Sequence, residues 1–144
     1  MSDWSDSAMA RLEKLRDEQR KKDEKVYEQR IIKKKYGMGL WREVRQLTIE
    51  NCRAFNDKAN NKMLTFDIAE DHELSIRSNV DGDKRRLYAS FDNDLSRMSW
   101  ECATKSAQWD VAATDEGGVR FEWGTTVTTP ASIAEQMLDA LLFG

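Results

Sequence analysis

The chain is poor in the residues that mark several protein classes. It has one proline and seven glycines in 144 residues, which excludes a collagen-like or proline-rich chain. Two cysteines, Cys52 and Cys102, are too few for a disulfide framework. The single histidine, His72, excludes a histidine-rich metal centre. No run approaches the roughly 18 apolar residues of a membrane span. Residues Met1 to Ser7 carry Asp3 and Asp6 and no apolar stretch follows, so no targeting segment is read there. No lipidation motif stands at either end. Gly37-Met38-Gly39 lacks the preceding strand and the GK[ST] ending of a phosphate loop. Asp81-Gly82-Asp83 lacks the further ligands of a calcium loop. Cysteines in apolar patterns suggest buried free thiols and a cytoplasmic location.

What is present is charge and aromatic side chains. Charged residues make up 34% and hydrophobic ones 40%, with five Trp, three Tyr and five Phe. That is enough to build a core in one ordinary domain. The net charge of −3 conceals an asymmetry. Residues 1–62 hold 16 bases and 11 acids, a net +5; residues 63–144 hold 7 and 15, a net −8. The change falls just after the Asn-rich stretch Asn56–Asn61. Two halves of opposite sign can attract each other, but screening confines this to close apposition, within about 8 Å at physiological salt.

The first half has helical character. Strong helix formers fill Ser5 to Lys35 without glycine or proline. Met9, Leu12 and Leu15 form one small apolar stripe, and Val26, Ile31 and Ile32 form another; Arg16 to Lys25 is entirely polar. A long, exposed helical arm over residues 1–36 is expected, broken by Gly37 and Gly39. A second helix from about Leu40 to Asn56 carries Trp41, Val44, Leu47, Cys52 and Phe55 on a wide apolar face.

The second half alternates with period two, the signature of half-buried strands. The apolar sets are Leu64, Phe66, Ile68; Leu74, Ile76; Leu87, Ala89, Phe91; Met98, Trp100, Cys102; Trp109, Val111, Ala113; and Val119, Phe121, Trp123. Short turn-rich connections imply an antiparallel meander of six strands. Thr129-Pro130 opens a final helix, and Ile133, Met137, Leu138, Leu141 and Leu142 require it to lie on the sheet. The expectation is an α+β protein: a long N-terminal helix, a second helix, a six-stranded antiparallel meander and a C-terminal helix packed on the sheet. The globular domain spans residues 37–144.

The outer sheet face holds the candidate chemistry. A two-residue Asp81-Gly82 turn sets Arg77 opposite Arg86. A loop at Asp92–Leu95 would set Arg86 opposite Glu101 and Tyr88 opposite Ser99. A turn apex at Lys105-Ser106 would bring Glu101 beside Asp110, and a loop at Thr114–Gly118 sets Asp110 beside Glu122. One row then holds Thr65, Arg77, Arg86, Glu101, Asp110 and Glu122; its neighbour holds Asp67, Ser75, Tyr88, Ser99, Ala112 and Arg120.

From these rows come two candidate sites. Arg77, Arg86, Tyr88, Ser99 and Arg120 could bind a small anionic ligand. Glu101, Asp110 and Glu122 could hold a hard divalent metal, which takes oxygen ligands. The commoner fate of such a face is plain solvation. His72 among Glu70, Asp71 and Glu73 is a third candidate, against the commoner solvated loop histidine.

No catalytic set is legible, and neither a cofactor nor an enzymatic activity is expected. Basic runs such as Lys33-Lys34-Lys35 are not interleaved with aromatics, which argues against nucleic acid; a membrane partner is not expected either. The leading expectation is a non-catalytic interaction or adaptor protein that self-associates through Met9, Leu12 and Leu15, with itself or another protein as partner. The alternative is a small-ligand binding protein using a helix–sheet cavity or the outer face.

Overall fold

The period-two pattern folds as an open antiparallel sheet in which every strand pairs with its neighbours in the chain, in the order β1 to β7. A computed structural model describes residues 3–80 and 82–144. The elements are α1 (Asp3–Ala59), β1 (Leu64–Asp67), β2 (Glu73–Val80), β3 (Asp83–Asp92), β4 (Arg97–Cys102), β5 (Lys105–Ala113), β6 (Val119–Trp123), β7 (Thr126–Thr128) and α2 (Pro130–Phe143). The α+β class and the C-terminal helix agree with the sequence pattern. Two units are distinguished, one ending at Ile31 and the other covering residues 32–144.

Two features differ from the sequence expectation. Helix α1 is continuous through Gly37 and Gly39, so the expected second helix is its C-terminal part. Gly37 is buried, and a Cβ there would lie 3.3 Å from Phe91 Cζ. This glycine lets the helix approach the sheet closely rather than ending the helix. The sheet has seven strands, because Thr126–Thr128 pairs with β6 around the left-handed Gly124.

Helix α1 ends at the Asn-rich stretch through identifiable contacts. Asn60 adopts the left-handed conformation, with φ 53°, a common helix stop. The Asn56 side chain donates to the Leu64 carbonyl at 2.8 Å and accepts from the Leu64 amide at 2.9 Å. It thereby fixes the helix end to β1. At α2, Thr129 accepts from the Ser132 amide at 3.2 Å with Pro130 in the first turn, which satisfies an otherwise orphaned donor.

One face of the sheet is the core. Leu64, Leu74, Ile76, Leu87, Ala89, Phe91, Met98, Trp100, Val111 and Phe121 are buried together with Trp41, Val44 and Cys52 of α1 and Ile133, Met137 and Leu141 of α2. Fully burying a side chain of this size stabilises by about 1.5–3 kcal/mol. Trp41 stacks on Phe91 with ring centroids 6.3 Å apart. Phe55 and Phe66 are only partly buried. Ile68 lies beyond the end of β1 and is exposed, as is Trp123 at the end of β6. Alternation therefore overestimates the core at these strand ends.

Candidate functional site

The outer face of the sheet is built by the residues that alternate with the core. Thr65 stands opposite Arg77, and Arg77 opposite Arg86. Residue 81 of the expected Asp81-Gly82 turn lies outside the described residues, while Val80 stands opposite Asp83. Arg86 Nε donates to Ser75 Oγ at 3.1 Å. Among the described residues, no carboxylate forms an ion pair with Arg77, Arg86, Lys84 or Lys62. These four side chains, with Arg85, Met63, Thr65, Ser78 and Asn79, line a hollow of about 430 Å³.

Beyond β3 the neighbours differ from those expected. The β3–β4 connection runs through residues 93–96, because Asp92 accepts from the amides of Asp94 (2.9 Å) and Leu95 (3.1 Å). Asp92 consequently pairs with Arg97. This moves the register by two residues: Tyr88 stands opposite Glu101, and Ser99 opposite Ser90. The β4–β5 turn lies at Ala103-Thr104, with Ala103 at φ 55°, instead of at Lys105-Ser106. Glu101 therefore faces Ser106, and Asp110 faces Arg97.

Consequently, Glu101, Asp110 and Glu122 do not share a row. Asp110 does stand opposite Glu122, but Arg97 Nε donates to Asp110 Oδ1 at 2.6 Å. The Arg97 guanidinium also lies 5.3 Å from the centre of the Trp123 ring. A cation of the protein occupies the place where the metal was expected. Arg120 is drawn to the same end, with Nε 3.3 Å from Glu122 Oε2, and is not gathered with Arg77, Arg86, Tyr88 and Ser99.

The loop before β2 carries a second cluster. Asp71 is clamped by α1: Arg42 Nε donates to Asp71 Oδ2 at 3.1 Å with a further, shorter contact through Nη2. Arg45 Nη1 donates to Asp71 Oδ1 at 2.9 Å, and Trp41 Nε1 donates to the Asp71 carbonyl at 2.9 Å. The bonds from Arg42 and Arg45 lower the Asp71 carboxyl pKa to about 2. Its neighbour His72 has Nδ1 3.4 Å from Glu70 Oε2 and Nε2 3.6 Å from Glu73 Oε1. One imidazole and two carboxylates thus lie within 4.8 Å of one another, all at the surface or half-buried. Burial and the nearby Glu73 raise the Tyr88 pKa, so its hydroxyl keeps its proton and can donate.

The thiols offer no nucleophile. Burial pushes the Cys52 thiol up to about 11 and raises that of Cys102, which keeps both protonated at neutral pH.

Within residues 3–31 every side chain is exposed except Ala8 and Gln29, which are intermediate. Met9, Leu12 and Leu15 are all exposed, as is Trp4, at 80%. At 100° per residue, Trp4, Ala8, Leu12, Leu15 and Val26 fall on one stripe, with Gln19 and Lys22 completing it. Trp4 and Val26 belong with Leu12 and Leu15, a grouping set by helical angle and not by adjacency along the chain. No described helix is long and apolar enough to cross a membrane.

Neither family models, curated proteins nor solved structures yield a match to the chain.

Proposed function

We propose that the protein is a non-catalytic interaction protein that self-associates through the N-terminal part of α1. The observation that carries this reading is the exposure of nearly every side chain over residues 3–31. An isolated helix with so sparse an apolar face is marginal in water. It gains stability by covering that face with another helix.

The stripe has the spacing of a coiled-coil seam. Ala8, Leu12, Leu15, Gln19, Lys22 and Val26 follow one another at intervals of four and three residues, as positions a and d do. Gln19 and Lys22 interrupt it, which favours a weak, reversible pairing over a permanent one. Charge supplies the orientation. Residues 3–18 hold three bases and five acids, and residues 20–31 five bases and three acids. An antiparallel pair places each acidic half against a basic half, whereas a parallel pair places like against like. The partner is therefore a second copy of this chain.

Light scattering coupled to size exclusion tests the reading. The full chain should form a dimer that dissociates on dilution. L12E/L15E and a deletion of residues 1–24 should be monomeric with unchanged near-ultraviolet dichroism. A full chain that stays monomeric at high concentration, or a deletion that still dimerises, would overturn it.

A further inference from the structure

We infer that the basic hollow on the outer face of β1, β2 and β3 is a binding site for an oligophosphate, independent of the self-association proposed above. Residues 63–144 carry seven bases against fifteen acids. Four of those seven, Arg77, Lys84, Arg85 and Arg86, line this one hollow, and Lys62 joins them from the chain before β1. No carboxylate lines it among the described residues.

The arrangement is unfavourable for the protein alone. Arg77 and Arg86 are directly opposed on neighbouring strands, and like charges in that position repel. Asp67 stands opposite Ser75 on the next row and lines an adjoining hollow with Arg77 and Arg86, but among the described residues it forms no ion pair with either arginine. Arg86 Nε is anchored on Ser75 Oγ, which fixes the stem, and its two terminal nitrogens have no carboxylate partner among the described residues. Arg85 is tied to the Gly144 carbonyl and adds field rather than a contact.

These features specify the ligand class. Two opposed guanidiniums suit bidentate recognition of phosphate oxygens, and Lys84 and Lys62 add two point charges. Several cations within one hollow call for a ligand of several negative charges. A volume of about 430 Å³ exceeds one phosphate and accommodates a short chain of them. Thr65 and Asn79, which share the outer face with Arg77, can supply neutral hydrogen bonds. Among the described residues no aromatic side chain lines the hollow, so they offer no stacking platform for a nucleobase. Chained phosphate groups are recognised, not a nucleotide sequence.

Calorimetric titration of the full chain at low salt tests this, with tripolyphosphate as the probe and inorganic phosphate, sulfate and a short single-stranded DNA as comparisons. Tripolyphosphate should bind at one site per chain, at least tenfold tighter than phosphate or sulfate at equal ionic strength. R77A/R86A should weaken it at least tenfold, while K105A/R120A should not. The R77A/R86A chain should melt no lower than the parent without ligand, since it loses a repulsion. Unaltered affinity in R77A/R86A, sulfate binding as tight as tripolyphosphate, or tighter binding of the DNA would each overturn the inference. None of these outcomes depends on whether the chain dimerises.

Discussion

Gly37 and Phe91 meet at a separation that leaves little room for a side chain: a Cβ on the glycine would lie 3.3 Å from Phe91 Cζ and 3.7 Å from a Val111 methyl. Two residues on, Gly39 has nothing within 4 Å of the same position among the described residues. The two glycines of one helical turn therefore respond to substitution in opposite ways. Gly37→Val overpacks the contact and should cost about 1–3 kcal/mol. Gly39→Ala gains helix propensity in the open and should stabilise by about 0.5–1 kcal/mol. Urea denaturation of both variants checks this; a destabilised Gly39→Ala would speak against a continuous helix.

Tryptophans in the core differ in what they require. Trp41 donates its indole N–H to the Asp71 carbonyl, while Trp100 Nε1 is buried without a hydrogen-bond partner among the described residues. Trp100→Ala should cost about 3–5 kcal/mol. Trp100→Phe loses no hydrogen bond and should cost less than about 1.5 kcal/mol. In Trp41→Phe the lost hydrogen bond adds about 0.5–1.5 kcal/mol to the cost of the smaller ring. Equilibrium unfolding by fluorescence should rank Trp41→Phe as the more damaging of the two Phe variants.

The Asp71 carboxylate has an acid-dependent role. Its folded pKa, about 2, lies below the ordinary value of 3.8, so its contribution to stability is complete above about pH 4 and is lost as pH falls through 2. Asp71→Asn should melt below the parent at pH 7, and the two melting temperatures should converge between pH 4 and 2. A carbon-detected titration of the parent should place the Asp71 midpoint near 2. A constant difference across that range would remove Asp71 from the acid response.

Cys52 should be inert in the folded chain. With its thiol at about 11, almost no thiolate exists at pH 8. A disulfide reagent should leave it unmodified under native conditions and react fully in denaturant. Prompt native labelling at Cys52 would show that the helix opens readily from the sheet.

Alternation identified the faces of the sheet more reliably than the neighbours within a face. Glu101 was expected opposite Arg86 and lies opposite Tyr88; Asp110 was expected beside Glu101 and lies beside Arg97. Both displacements are even numbers of residues, so every side chain stays on its expected face. Core burial enforces that parity, since an odd slip would turn a whole strand inside out. An even slip leaves the apolar pattern intact and depends on turn geometry. The Asp92 side-chain bonds and the left-handed Ala103 settle the turns, and neither follows from hydrophobic pattern. The Arg77–Arg86 pair was legible because the connection between Val80 and Asp83 is so short. Trp4 and Val26 share the arm's stripe by helical angle alone, since they lie far along the chain from Leu12 and Leu15 and adjacency does not group them.

The strictly sequential order of β1 to β7 also bears on how the chain reaches its native state. Each strand finds its partner a few residues away, so loop-closure entropy is small at every step and the sheet can grow by addition of one hairpin after another. The contacts of greatest sequence separation are those that bring the two helices onto the sheet, such as Lys34 with Asn93 for α1 and Gly144, at the end of α2, with Arg85. Assembly of the sheet is thus a local problem, and the docking of the helices onto it is the step that commits the chain to its fold.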